Sequence, residues 1–154
     1  MTRFFPIIIT IFAIGLFAIV LLQPKVAPAG RTGQMIDRQV LGLTDQGPVI
    51  VNVFASWCVP CASEMDLLKD IRQATGLPLI GIDYKDKSEA MDKFLKVYGN
   101  PYSHTQPDDG AAALALGITG VPETFLIDAQ GKILWHYPGA LSATQADELK
   151  QVAK

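Results

Sequence analysis

One change of hydrophobic period constrains this chain more than any other feature. Val49–Ala55 (VIVNVFA) is a largely apolar, β-branched run that follows Gly47-Pro48. Such a run reads as a buried central strand. It leads at once into Trp57-Cys58-Val59-Pro60-Cys61 and then into a helical period. The spacing predicts a helix over 59–75, with Pro60 in its first turn and Gly76 as its stop. Leu67, Leu68, Ile71 and Ala74 form the expected inner stripe. A strand that passes straight into a helix is the start of a β-α unit.

The rest of the chain continues the alternation. Leu79–Asp83 (LIGID) reads as a second strand, and Ser88 as the cap of a helix with Met91, Phe94, Leu95 and Tyr98 on one face. Tyr102–Gln106 is a short candidate strand, and Ala111–Leu116 a short helix entered through Asp108-Asp109. Glu123–Asp128 and Lys132–Tyr137 flank Ala129-Gln130-Gly131 as a hairpin. Ser142 and Gln145 make a capping box for a final helix. Met35–Leu43 is weakly patterned, with room for a short strand. The order implies an α/β fold: a mixed central sheet, parallel early and antiparallel late, flanked by helices.

The N-terminus is different. Phe4–Leu22 holds 19 residues with Thr10 as its one polar side chain. As a helix it spans roughly 28 Å, close to the ~30 Å hydrocarbon core of a bilayer. Residues 1–25 therefore read as a membrane anchor or a signal segment, 26–34 as a tether, and 35–154 as the folded domain. Ala27-Pro28-Ala29 resembles a cleavage site, but the apolar run exceeds the roughly 7–15 residues of a signal core, which favours a retained anchor. Either reading exports the domain. The full chain carries 13 basic against 15 acidic residues, a net charge of −2, and this excludes a nucleic-acid binder held by a basic face.

Cys58 and Cys61 are the only two cysteines. They can close a small disulfide or contribute to a metal site. Four zinc ligands require His104 and His136 to converge on them. A purely structural disulfide around so short a loop removes little unfolded-state entropy. The redox reading accounts for the position: backbone N–H groups at a helix start favour a thiolate. Lowering a thiol pKa from about 8.5 to about 7 raises its thiolate at pH 7 from roughly 3% to roughly half. Cys58, at the helix entry, is then the nucleophile, and Cys61, one turn inward, the resolving thiol.

Trp57-Cys58-Val59-Pro60-Cys61 resembles the W-C-x-P-C signature of the thioredoxin superfamily, and Gly120-Val121-Pro122 its cis-proline segment. A narrower resemblance rests on Gly117–Asp128 (GITGVPETFLID), Tyr84-Lys85-Asp86 and Gly99-Asn100-Pro101-Tyr102. These are similar to the membrane-anchored thiol:disulfide interchange proteins of cytochrome c biogenesis (DsbE/CcmG type). The resemblance implies a thioredoxin-like fold with an N-terminal transmembrane helix. It implies a redox-active Cys58–Cys61 disulfide, with no other cofactor and no metal. Trp57, Val121, Pro122 and Gly139 inherit substrate-side roles from it, Gly139 because a side chain there blocks close approach. Glu64 and Glu123 match its active-site acids. Its members sit in the bacterial inner membrane by a single pass, with the catalytic domain in the periplasm. A transmembrane thiol carrier supplies their electrons. They keep apocytochrome c cysteines, or those of a maturation partner, reduced.

Two positions depart from the pattern. General thioredoxins carry a buried Asp where this chain has Asn52, so proton transfer falls to Glu64 or Glu123. Thr119 replaces a frequent Tyr. His136 and His104 read as surface or pocket histidines rather than catalysts, and Trp135 as core or edge packing. The competing functions are a general exported reductase, a disulfide-donating oxidase and a non-enzymatic binding module. The gap between the cysteines and Pro122 is too poor in helix for the all-helical insert usual in oxidases of this superfamily.

Overall fold

The computed structural model describes residues 30–44 and 46–154. The apolar run 4–22 and the first part of the expected tether lie outside the described residues. Among the described residues, no helix is long and apolar enough to cross a membrane.

The chain runs β1 (Val49–Phe54), α1 (Val59–Ser63), α2 (Met65–Thr75), β2 (Leu79–Tyr84), α3 (Ser88–Tyr98), β3 (His104–Asp108), α4 (Ala111–Leu116), β4 (Glu123–Ile127), β5 (Ile133–Pro138) and α5 (Ala143–Val152). The five strands form one sheet in the order β3-β2-β1-β4-β5. β1, β2 and β3 pair in parallel, whereas β4 is antiparallel to β1 and β5 to β4. This is the mixed sheet expected from the order of elements.

Strand alternation divides the core in two. Ile50, Phe54 and Leu126 face a cluster that holds Cys58, Cys61, Met65, Leu68, Ile71 and Leu149. Val49, Val51, Val53, Phe125, Ile127 and Ile133 face the other, with Ala112 and Leu116 of α4. The central strand is buried on both faces, and every residue of β1 is below 2% exposed. Its β-branched sequence suits that position.

Several local expectations change. The predicted helix over 59–75 is two helices joined at Glu64, whose φ −100° and ψ −4° interrupt the regular geometry. Met65, Leu68 and Ile71 are its buried residues; Ala74 is exposed. Ser88 does not cap α3: Lys87 occupies the cap position and Ser88 is the first helical residue. β3 starts two residues later than expected. Asp108 does serve the entry to α4, its carboxylate accepting from the amides of Ala112 and Ala113. The weak pattern over 35–43 yields a single bridge, Met35 to Lys132, rather than a strand. Around it the Gly33 amide donates to Ile133 O, the Ile133 amide to Gln34 O and the Ile36 amide to Gly131 O. The end of the expected tether is thus laid along the outer side of β5.

β5 carries one irregularity. Ile127 pairs with Ile133, but Leu126 pairs with Trp135, so Leu134 is a bulged residue. The bulge turns Trp135 and Tyr137 toward the cysteine-bearing cluster and leaves His136 opposite Phe125.

Gly81 of β2 shows how tightly that cluster is built. A Cβ there would lie 2.9 Å from Phe54 Cε1 and from Tyr102 Cγ and Cδ2, two rings that stack at 4.8 Å. Replacing Gly81 with Ala therefore overpacks the core, and chemical denaturation is expected to show a loss of about 1–3 kcal/mol. An unchanged unfolding midpoint would show that the two rings part without cost.

Candidate active site

β1 ends at Phe54, and the chain turns through Ala55–Trp57 to place Cys58 at the cap of α1. The Cys58 amide donates to Ala55 O at 3.2 Å. Cys58 and Cys61 are joined by a disulfide of 1.98 Å, with Cα atoms 5.4 Å apart. Cys58 Sγ accepts from the Cys61 amide at 3.2 Å. That donor is already in place for a thiolate in the reduced form. Because the helix breaks at Glu64, this local amide, rather than a long helix dipole, is the stabilising feature at the sulfur. Cys61 is fully buried and Cys58 is 4% exposed, so Cys58 is the sulfur nearer solvent. Around them Trp57 is 56% and Val59 84% exposed, an apolar collar suited to docking a polypeptide.

Beneath the disulfide lies a closed polar network. Glu64, three residues after Cys61, is fully buried rather than solvated. Its Oε1 accepts from Asn52 Nδ2 at 2.9 Å and its Oε2 from the Leu141 amide at 2.9 Å. Asn52 Nδ2 also donates to Thr124 Oγ1 at 3.0 Å, and Asn52 Oδ1 accepts from the Tyr102 hydroxyl at 2.7 Å. Burial pushes the Glu64 carboxyl up to about 7, against the lowering effect of the Leu141 and Asn52 hydrogen bonds. A group of that affinity can hold or release a proton at neutral pH.

A second carboxyl pair flanks the cysteine loop, and the sequence reading missed it. Asp83, at the end of β2, is 1% exposed, and neither of its oxygens has a hydrogen-bond partner among the described residues. Burial, then the charge of Asp86, pushes it up to about 7. Asp86 Oδ2 accepts from the Ser56 amide at 2.5 Å, two residues before Cys58. Burial pushes Asp86 upward, but its hydrogen bonds with Ser56 and Lys87 outweigh this and hold it below the usual range.

The Val121–Pro122 peptide is cis, as the family resemblance implies. Val121 packs against the cluster that contains both cysteines. Pro122 O accepts from the Gly139 amide at 2.9 Å. Gly139 has φ +129°, a conformation favouring glycine, yet a Cβ there would meet only Tyr137 Cε1 at 3.7 Å. Within the chain, then, it is the backbone conformation rather than crowding that favours glycine here.

Glu123 is 2% exposed, and its register partner on β1 is Val53, so it projects from the sheet face opposite Asn52 and Glu64. The two acids that the resemblance groups together therefore lie on different sides of the sheet. Glu123 Oε1 accepts from the Thr119 amide at 2.6 Å, the Thr119 hydroxyl at 2.9 Å and the Gly120 amide at 3.2 Å. It pins the loop that carries Val121 and Pro122. Its Oε2 meets His136 Nε2 at 2.7 Å. His136 is thus a pocket histidine, while His104 is exposed. Among the described residues, no cluster of His, Cys, Asp or Glu has a metal-binding arrangement.

The family model described as Redoxin matches residues 27–153. A thiol:disulfide interchange protein DsbE from Pasteurella multocida (strain Pm70) is 36% identical over 164 residues, covering 94% of this chain and 90% of its own. The protein of the same name from Haemophilus influenzae is 43% identical over 122 residues, 77% of this chain and 67% of its own. The thiol:disulfide interchange protein CycY of Rhizobium leguminosarum bv. viciae is 43% identical over 91 residues, 58% and 49% of the two chains. Among solved structures, a DsbF homologue from Corynebacterium diphtheriae superposes with a TM-score of 0.62 at 22% identity, covering 81% of this chain and 95% of that one. That likeness bears on the fold.

The raised Glu64 carboxyl carries a sign for stability. Folding raises its proton affinity from the ordinary 4.5 to about 7, so the folded state binds the extra proton between those values. The resulting stabilisation is fully present below about pH 4.5 and is lost as pH rises through 7, on the order of 3 kcal/mol. Asp83 acts in the same direction. Unfolding free energies measured from pH 5 to 8 should fall, and Glu64→Gln should flatten the slope. An equal slope in the variant would show that Glu64 does not titrate in this range.

Proposed function

The chain belongs to the Redoxin family and is a thiol:disulfide oxidoreductase, and on that basis we propose that it is a membrane-anchored dithiol reductant of cytochrome c maturation. The observation that carries the reading is the Cys58–Cys61 pair at the strand-to-helix junction, with the outer sulfur under the Cys61 amide and the cis Val121–Pro122 loop packed into the same cluster. The interchange proteins that match along much of the chain support it, as does the GITGVPETFLID string.

In the proposed reaction the reduced Cys58 thiolate attacks one sulfur of a substrate disulfide. A Cys58–substrate bond forms, the substrate S–S bond breaks and one substrate thiolate leaves. Cys61 then loses its proton and attacks Cys58 Sγ. This closes the Cys58–Cys61 bond and expels the second substrate thiolate. Two electrons pass to the substrate; the Cys61 proton is passed on to one substrate thiolate, and the other takes from solvent the proton that Cys58 released there when it ionised. Glu64, one turn from Cys61, is the proposed acceptor of the Cys61 proton. Glu123 holds the loop of Val121 and Pro122, and we assign the backbone of the half-buried Val121 to the incoming chain. Trp57 forms the docking collar with Val59, and Gly139 anchors Pro122 O.

The client is apocytochrome c, or a thiol protein that hands it on. Recharging requires a thiol electron donor, which we assign to a transmembrane carrier. Residues 1–25 would hold the domain on the outer face of a bacterial inner membrane, in the periplasm.

In cells, Cys58→Ala and Cys61→Ala should each abolish c-type cytochromes while other exported proteins stay oxidised. A Cys61→Ser variant should trap an apocytochrome c, or its maturation partner, as a mixed disulfide through Cys58. Normal cytochrome levels in both alanine variants would sink the specific role, and capture of a broad client set would favour a general exported reductase.

A further inference from the structure

The chain ahead of the first strand reaches the site through hydrogen bonds that the exchange chemistry alone does not require. The Arg31 amide donates to His136 Nδ1 at 3.0 Å. A backbone N–H can only donate, so Nδ1 carries no proton. The proton of the neutral ring is therefore on Nε2, and it is given to Glu123 Oε2 at 2.7 Å. The ring stacks on Phe125 with centroids 4.3 Å apart and 14° between planes. Its side chain is 4% exposed, and that of Glu123 is 2% exposed. From Glu123 the contacts run to the amides of Thr119 and Gly120, and so to the cis Val121–Pro122 peptide.

We propose that the segment around Arg31 is a working part of the site, and that its amide fixes His136 as a positioning residue which holds Glu123, and through it the Val121–Pro122 loop, in place for the incoming chain. The inference rests on the assignment of that loop to the substrate. It places a structural demand on the stretch that leads into the domain: residues 30–36 are a clasp, bonded to Ile133 of β5 at Gly33 and Gln34 and to Gly131 of the hairpin turn at Ile36. Protonation of His136 would put a hydrogen on Nδ1 where the Arg31 N–H already points, so it would break the Arg31–His136 bond. The charged groups facing the ring are Glu123 from β4 and Arg31 from the clasp. Burial lowers the affinity of His136 for a second proton most; Glu123 opposes that, and the Arg31 charge adds to it.

Arg31→Pro deletes the one N–H in question, and Arg31→Ala deletes the guanidinium while keeping that N–H. Nitrogen-15 NMR of the full chain reads the ring directly. The wild type should show a pyridine-like Nδ1 and a protonated Nε2 at neutral pH, with a titration midpoint below the ordinary histidine value. Arg31→Pro should raise that midpoint by about one pH unit, and Arg31→Ala by less than half as much. In exchange assays with a disulfide-bonded polypeptide, Arg31→Pro should raise KM more than it lowers kcat. A protonated Nδ1 in the wild type, equal midpoints in the two variants, or a KM unmoved by Arg31→Pro would each overturn the proposal. Exchange that survives Cys58→Ala would instead sink the functional reading and leave the histidine spectrum to be judged alone.

Discussion

The buried amide of Asn52 is the interaction from which the architecture of the site follows. It sits in the central strand with no exposure, where an unpaired polar group is costly. Three side chains satisfy it, and each belongs to a different part of the chain: Glu64 between the first two helices, Thr124 on β4 and Tyr102 ahead of β3. Removing any one leaves a donor or acceptor stranded. The amide therefore sets where the helix after the cysteines must bend, and the bend sets where Glu64 points.

This arrangement explains why an asparagine can stand where other members of the superfamily carry an acid. Here the buried ionisable group is Glu64 at the helix joint, and the strand supplies a hydrogen bond that holds it. The second glutamate does other work. Facing the opposite side of the sheet from Glu64, Glu123 organises the backbone amides of Thr119 and Gly120. A carboxyl of raised proton affinity and a loop-shaping carboxylate thus lie on opposite faces of β1 and β4.

The strands, their order and the cysteine pair were legible because they rest on local signals: β-branched runs, helix stops, a hairpin turn and a two-residue spacing. The joint at Glu64 was not legible. The helical period continues through it, and its cause is an amide twelve residues earlier together with a backbone donor at Leu141. His136 was read as a surface or pocket histidine, and its bond to Glu123 was not legible for a similar reason. Counting back from the hairpin turn without a bulge pairs Phe125 with position 135 and turns residue 136 to the other face. The bulge at Leu134 reverses that alternation. Its other partner, Arg31, is 105 residues away. Asp83 looked like the end of a strand, and only its burial without partners sets it apart.

The two rims of the sheet differ in a way that bears on crowding. On one side residues 33–36 lie against Ile133 of β5 and the turn before it; on the other, β3 contains Pro107, which has no N–H to offer. Neither rim presents an uninterrupted ladder to a neighbouring copy. Molecules of this kind can be concentrated side by side without their sheets joining edge to edge into a continuous ribbon.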